Sequence, residues 1–306
     1  MRFEVTTMGT GAALPARGRF PSAQLLNVRD HLFLIDCGEG TQERLRMAAV
    51  NMGRIERIFI SHLHGDHYLG LMGLISSMHL QGRTQPLDVH APADLHEIIQ
   101  LQLRASKTFL RFPFKLHPTS HRTGAPVYSD QRVEVTELAL RHRIPSTGFL
   151  FREAPLPRHL IREKVDLIPH YARQAVARGE DLTLPDGSIV PNAALTTPPS
   201  PPRSYAYCSD TAYVPELADH LRGVDLLYHE ATFTTDLAVR AKETMHSTAA
   251  QAATLARDAQ VGHLLLGHFS SRYKNTDRLL AEARAIFPNT AAAEEGRTFQ
   301  VGGAVL

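Results

Sequence analysis

The sequence predicts an α/β fold in which β-sheets are covered by helices, and three observations carry that prediction. Runs such as residues 3–7 and 133–142 alternate with the period of strands. Residues 93–106 place Leu95, Ile98, Ile99 and Leu103 at helical spacing. The two patterns follow one another along the chain, which suits sheets with helices packed outside them.

From the amino terminus, Phe3-Glu4-Val5-Thr6-Thr7 reads as a strand that runs into Gly9-Thr10-Gly11. Residues 22–28 and 31–36 read as two further strands, with Arg29-Asp30 at the turn between them. A helix is predicted from Cys37-Gly38-Glu39-Gly40-Thr41 through Val50, with Thr41 as its N-cap. Arg57-Ile58-Phe59-Ile60 reads as a buried strand, and the apolar, Gly-punctuated segment after residue 67 as a helix. Leu87-Asp88-Val89-His90 is strand-like and precedes the helix at 93–106. Residues 152–203 then interrupt the alternation. They hold Arg158, Arg162, Lys164, Arg173 and Arg178, a hairpin-like Leu184-Pro185-Asp186-Gly187-Ser188, and Pro198-Pro199-Ser200-Pro201-Pro202, which reads as a stiff connector.

Composition sets modest limits. A chain of 306 residues can bury a large core, and a formal charge of +2 does not by itself announce a nucleic-acid protein. Cys37 and Cys208 lie far apart in apolar runs, so a disulfide framework is not expected and a reducing cytoplasm is the default. With no charged-then-apolar leader and no apolar run near 18 residues, neither a signal peptide nor a membrane span is expected.

The chemistry centres on Ser61-His62-Leu63-His64-Gly65-Asp66-His67, four metal-binding side chains within six residues. Imidazole and carboxylate together suit Zn²⁺ or a similar ion. His62 and His64 can face the same way from an extended segment. Asp66 and His67 follow the bend at Gly65 and are expected to serve a second ion or a second role. A His-rich surface turn fits less well, because the acid sits between imidazoles with a glycine to turn the chain. Three more candidates, His142, Asp210 and His268, each follow a short β-like run and precede turn residues. Singly each is more often structural. Jointly they supply what two carboxylate-bridged cations need, with positions left open for water.

The set His62-x-His64-x-Asp66-His67, His142, Asp210 and His268 resembles the metallo-β-lactamase superfamily. Phe33-Leu34-Ile35-Asp36-Cys37-Gly38-Glu39-Gly40-Thr41-Gln42, Tyr228-His229-Glu230-Ala231-Thr232-Phe233 and Thr244-Met245-His246-Ser247-Thr248 make it similar, over essentially the whole chain, to the short bacterial form of ribonuclease Z, the tRNA 3′-processing endonuclease. The resemblance implies one domain over residues 1–306: a four-layer αββα sandwich of two mixed sheets, with residues 152–203 as an insertion. It implies two Zn²⁺ per subunit, or Mn²⁺ or another divalent ion. His62, His64 and His142 would hold one, Asp66, His67 and His268 the other, and Asp210 would bridge them. Asp66 is the expected base for water attack on a phosphodiester, and Glu230 with His246 the pair that protonates the leaving 3′ oxygen. Precursor tRNA as substrate, a homodimer, a cytoplasmic location and no membrane association follow from the same resemblance.

Recognition is less legible. Arg104, Lys107, Arg111, Lys115 and Arg122 form an unopposed basic run, read either as a phosphate track or as a solvated face. The insertion stands where ribonuclease Z carries a tRNA-gripping arm, which puts Arg158, Arg162, Lys164 and Arg173 among the expected contacts. The arm's Gly-Pro element is replaced here by Ile168-Pro169-His170-Tyr171. The Pro-x-Lys-x-Arg-Asn loop of the family appears as Pro15-Ala16-Arg17-Gly18-Arg19-Phe20, so Arg17 and Arg19 keep charge while the amide is lost. Another hydrolase of the same fold, acting on small phosphodiesters or thioesters, and an inert RNA-binding scaffold are the competing readings. Cutting a folded tRNA at one position separates the first from the second, and an intact ligand set argues against the third.

Overall fold

A computed structural model describes residues 1–303. Its contacts divide the chain into two units, Met1–Arg152 joined with Arg203 onward, and Glu153–Pro202. In chain order the first unit begins with β1 (Phe3–Gly9), β2 (Ala23–Val28), β3 (His31–Cys37), β4 (Ile55–Phe59), β5 (Leu87–Ala91), β6 (Phe114–Pro118), β7 (Pro126–Ser129), β8 (Val133–Leu140) and β9 (Ser146–Glu153). The inserted unit holds β10 (His159–Leu160), β11 (Leu182–Thr183), β12 (Ile189–Val190) and β13 (Thr196–Thr197). The first unit resumes with β14 (Ser204–Cys208), β15 (Leu226–Glu230), β16 (His263–Gly267), β17 (Thr290–Ala292) and β18 (Thr298–Gln300).

Two seven-stranded sheets result, ordered β18-β1-β2-β3-β4-β5-β6 and β17-β16-β15-β14-β9-β8-β7. Both are mixed. β1, β2 and β3 pair antiparallel and β4 to β6 add in parallel, while β14 to β17 run parallel beside an antiparallel β9. The turn predicted at Arg29-Asp30 joins β2 to β3 with both residues at positive φ, 51° and 69°, the backbone that matches the twist of a two-residue hairpin.

The layers follow from which side chains each strand turns inward. Phe33, Phe59, Phe149, Phe151, Tyr205, Tyr207 and Tyr228 lie in one buried cluster between the sheets. Burying each such ring contributes about 1.5–3 kcal/mol. The outer faces are covered by helices. Thr41–Met47, Leu71–Leu80 and Leu95–Ala105 pack through Leu45, Leu74, Ile75 and Ile99 on the first sheet. Ala249–Asp258 and Asp277–Arg284 pack through Ala252, Leu255 and Leu279 on the second. The expected four-layer sandwich, two mixed sheets between helices, is the observed one. Both cysteines are buried free thiols, and among the described residues no helix is long and apolar enough to cross a membrane.

Details differ from expectation. The helix predicted from residue 41 to Val50 stops at Met47, and its N-cap is Gly40 at φ 83° rather than Thr41. The Thr41 hydroxyl instead donates to Gly38 O at 2.7 Å. Gly38 itself has no room for a Cβ, which would collide with the Asp66 carbonyl. Lys115, read within a basic run, lies on β6, where it is exposed between the half-buried Phe114 and Leu116.

The inserted unit has a small core of Ile168, Val176, Leu182 and Leu195. β11 and β12 close a hairpin through Gly187 at φ 83°, where Ser188 N–H donates to Asp186 Oδ1 at 2.9 Å. Asn192 Nδ2 donates to Val176 O at 2.6 Å and Glu180 O at 2.8 Å, knitting the unit's irregular backbone.

Parallel register in the second sheet sets up the site. Cys208 faces His229 and Glu230 faces Gly267, so β14, β15 and β16 end at one edge. Asp210, Glu230 and His268 therefore become neighbours at the carboxyl ends of adjacent strands, the usual position for chemistry in an open sheet.

Candidate active site

At that edge the ligand-type atoms converge as two groups. His62 Nε2 and His142 Nε2 approach His64 Nδ1 at 3.0 and 3.1 Å, and Asp210 Oδ2 lies 3.6 Å from both Nε2 atoms. On the other side, Asp210 Oδ1 lies 3.1 Å from His67 Nε2 and 3.0 Å from His268 Nε2. Asp66 Oδ2 is 3.4 and 3.5 Å from the same two nitrogens. The donor atoms of His62, His64, His142 and Asp210 all lie within 4.8 Å of one another, as do those of Asp66, His67 and His268. Asp210 thus stands between the groups. Asp210 and His268 both adopt positive φ, 47° and 56°, just beyond their strands, which turns their side chains inward at a cost of about 1–2 kcal/mol each.

The outward nitrogens are occupied, and this decides what the inward ones do. His67 Nδ1–H donates to Asp36 Oδ2 at 2.7 Å, and His142 Nδ1–H to Met245 O at 2.9 Å. Thr232 Oγ1 donates to Glu230 Oε2 at 2.6 Å, so its lone pair receives His268 Nδ1–H at 2.9 Å. Ser61 Oγ donates to Asp36 Oδ2 at 2.9 Å and receives His62 Nδ1–H at 3.0 Å. Each of these four rings spends its Nδ1 proton outward and aims Nε2 at the cluster, whereas His64 turns its Nδ1 inward. The buried Nε2 atoms of His67 and His268 have no hydrogen-bond partner among the described residues, although a carboxylate oxygen is close. Imidazole nitrogens and carboxylate oxygens converging on one point are what a divalent cation satisfies in place of protons, so these residues fit a metal pair.

The electrostatics differ between the groups. Burial lowers the pKa of His62, His64 and His142, with neighbouring imidazoles adding to the effect. Burial also acts on His67 and His268, but there Asp210 with the other nearby carboxylates outweighs it. His67 is raised and His268 reaches about 10. Asp210 and Asp66 are held below the usual carboxylate range, because the facing imidazoles outweigh burial.

Glu230 is fully buried, and its Oε1 accepts His246 Nδ1–H at 2.8 Å and Thr211 N–H at 2.8 Å. Burial alone would lower His246, but Glu230 reverses the sign and raises it. Thr248 caps the following helix, through a capping box with Gln251. Glu230 ends β15.

A pocket of about 480 Å³ opens over the cluster, lined by His64, Asp66, His142, Asp210, His246 and His268. Arg143, Arg240 and Arg272 also line it. These three arginines were not singled out from the sequence, because they lie on separate segments. Arg17 and Arg19 are outside the lining, with Arg17 Nε donating to Ser271 O at 2.7 Å and Arg19 Nη1 to Tyr273 O at 3.1 Å. Within the inserted unit, Arg158 donates to Thr196 Oγ1, Lys164 to Ala194 O, and Arg173 to Ile168 O and Val165 O. Of that group only Arg162 keeps a guanidinium without a partner among the described residues. Asp36, Ser61 and Thr232, which orient the imidazoles, were also missed. A buried acid closing the apolar run Phe33-Leu34-Ile35 was the one available signal.

Comparison with known proteins agrees with the geometry. Residues 190–269 match the family described as beta-lactamase superfamily domain, and residues 3–154 match anti-Pycsar protein Apyc1. A ribonuclease Z from Bacteroides fragilis (strain YCH46) is 48% identical over 96% of this chain and 97% of its own. One from Porphyromonas gingivalis (strain W83) is 45% identical with the same coverage, 96% and 97%. The crystal structure of the short form of human tRNase Z superposes with a TM-score of 0.70 at 29% identity, covering 97% of this chain and 99% of that one. The metallo-beta-lactamase fold protein YhfI from Bacillus subtilis, at 19% identity and a TM-score of 0.69 over 98% of this chain and all of its own, shares the fold. The chain belongs to the ribonuclease Z family, hydrolytic endoribonucleases on the metallo-β-lactamase fold.

Proposed function

We propose that the protein removes the 3′ trailer from precursor tRNA by zinc-dependent hydrolysis, leaving a tRNA 3′-hydroxyl and a 5′-phosphorylated trailer. The observation that carries this reading is the inward set of imidazole nitrogens around Asp210, those of His62, His67, His142 and His268 fixed from outside. His62, His64 and His142 would hold one cation, Asp66, His67 and His268 the other, and Asp210 would join the two sets. Two divalent cations at these positions, zinc or manganese, would supply a water acidified at neutral pH and neutralise charge on the phosphate. Asp66 would orient the attacking water and take up its proton. His246, fixed by Glu230 through Nδ1, delivers a proton from its other nitrogen to the departing 3′ oxygen. Arg143, Arg240 and Arg272 around the pocket hold neighbouring phosphates.

In this reading the unit Glu153–Pro202 is a tRNA-binding arm, with Arg162 as its foremost contact and Arg158, Lys164 and Arg173 chiefly shaping it. Arg17 and Arg19 act through the loop that carries them. The working form is a homodimer in the cytoplasm. Exposed Leu69, Leu80, Leu101 and Phe109, on and beside two neighbouring helices, support the association. The test is incubation with a precursor tRNA bearing a short 3′ trailer, with and without chelator. One cut just after the acceptor stem, lost on chelation and restored by zinc or manganese, is expected. Hydrolysis of simple phosphodiesters without that cut places the protein in another branch of the fold.

A further inference from the structure

Residues 10–20 connect β1 to β2 and contribute no metal-type side chain, yet they reach the site through a backbone amide. Ala13 N–H donates to Asp66 Oδ2 at 2.8 Å. Ala13 adopts φ 67°, a left-handed conformation uncommon for a residue with a Cβ, so the surroundings hold it there. The holding group comes from the far end of the chain. Glu295 Oε1 accepts Thr10 N–H at 3.2 Å, Thr10 Oγ1–H at 2.7 Å and Phe20 N–H at 3.3 Å. A single carboxylate oxygen therefore ties both stems of the loop. Between them, Phe269 N–H donates to Thr10 O at 2.8 Å and Ala12 N–H to Phe269 O at 3.1 Å, which binds the loop to the residue after His268.

We propose that Glu295 is a positioning residue of the hydrolytic site: it clamps residues 10–20 so that the Ala13 amide fixes the orientation of the Asp66 carboxylate. The oxygen that receives the amide is the one facing His67 and His268, at 3.4 and 3.5 Å. Rotation of an aspartate carboxylate about its last bond is soft, so an external donor is what selects one orientation. The inference rests on Asp66 serving hydrolysis, and it is independent of whether the substrate is tRNA.

The test compares wild type with Glu295→Ala, Glu295→Gln and Thr10→Val. Three readouts apply: kcat and KM for bis(p-nitrophenyl) phosphate, hydrogen exchange of the amides at 10–20, and zinc affinity measured against a colorimetric chelator. Glu295→Ala is expected to lower kcat and zinc affinity by about 10–100-fold, the usual cost of removing a group that orients a ligand. KM stays within about twofold, in line with a role outside substrate binding. The loop amides lose protection. Glu295→Gln, which retains the acceptor oxygen, recovers most of the loss, and Thr10→Val shifts all three readouts less in the same direction. Loop amides that stay protected in Glu295→Ala overturn the clamp. Unprotected amides with unchanged kcat and zinc affinity overturn its link to Asp66, as does a loss confined to RNA substrates. If Glu295→Ala fails to fold, Thr10→Val decides alone, and unchanged exchange and zinc affinity there overturn the proposal. Wild type that hydrolyses the small ester but does not cut precursor tRNA refutes the tRNA reading and leaves this one standing.

Discussion

The sandwich and the inserted unit use polar side chains in opposite ways. In the sandwich, Asp36, Glu230 and Asp210 are buried and each is surrounded by imidazoles, hydroxyls or amides that define its orientation. In the insertion, Arg158, Lys164 and Arg173 reach backbone carbonyls and a threonine within their own unit, around a core of four buried apolar side chains. The first arrangement fixes atoms to tenths of an ångström, which bond-making chemistry requires. The second holds a small unit together by its own hydrogen bonds, and in the proposed reading contacts to a phosphate backbone need no finer definition. Activity should therefore fail abruptly when the sandwich network is cut and only gradually when the insertion is changed.

The largest effect belongs to Asp66. Asp66→Ala should abolish cleavage of precursor tRNA while most of the affinity for tRNA survives in a gel-shift assay, and strong residual turnover would refute the assigned role. Next comes His246→Ala, expected to slow cleavage by about 10²–10⁴-fold, the range for a general acid, with metal content near wild type. Loss of metal instead would make His246 structural. Asp36→Asn should weaken metal binding by about 10–100-fold, because His67 and, through Ser61, His62 lose their fixed tautomers. Unchanged zinc affinity would place the control of those rings elsewhere. Arg162→Ala marks the gradual side: the logarithm of kcat/KM should depend on that of salt with a slope smaller by about one, as for a single phosphate contact.

A smaller effect distinguishes buried from exposed histidines. His90 is buried against Phe59, and burial, with His117 and Arg57 adding, lowers its pKa to about 3. Its charged form is favoured only in the unfolded chain, so stability is lost as pH falls below the unfolded value of about 6.5. Between pH 6.5 and pH 5 the loss from this residue amounts to about 2 kcal/mol. Urea unfolding of wild type and His90→Gln at the two pH values checks this, since the variant should lack that part of the acid sensitivity.

Legibility followed the same division. The metal-type residues could be read because four of them crowd the turn between β4 and the next helix, while His142, Asp210 and His268 follow closely on the ends of β8, β14 and β16, and strands announce themselves by period. Asp36 and Thr232 were not read as orienting groups, because a hydrogen bond between distant segments leaves no local trace. Arg143, Arg240 and Arg272 share a pocket only through folding. In the insertion, Arg158, Lys164 and Arg173, expected as tRNA contacts, also donate hydrogen bonds within their own unit. Charge is visible in a sequence, but the carbonyl it meets is not.

The measurement that tests the central claim most directly is the chemistry of the new ends, read by mass spectrometry after cleavage of a precursor tRNA. Attack by water within the His–Asp cluster, with His246 protonating the departing oxygen, predicts a tRNA ending in a 3′-hydroxyl and a trailer beginning with a 5′-phosphate. A 2′,3′-cyclic phosphate on the tRNA would mean that the ribose hydroxyl attacked, and would contradict the assignment of this site.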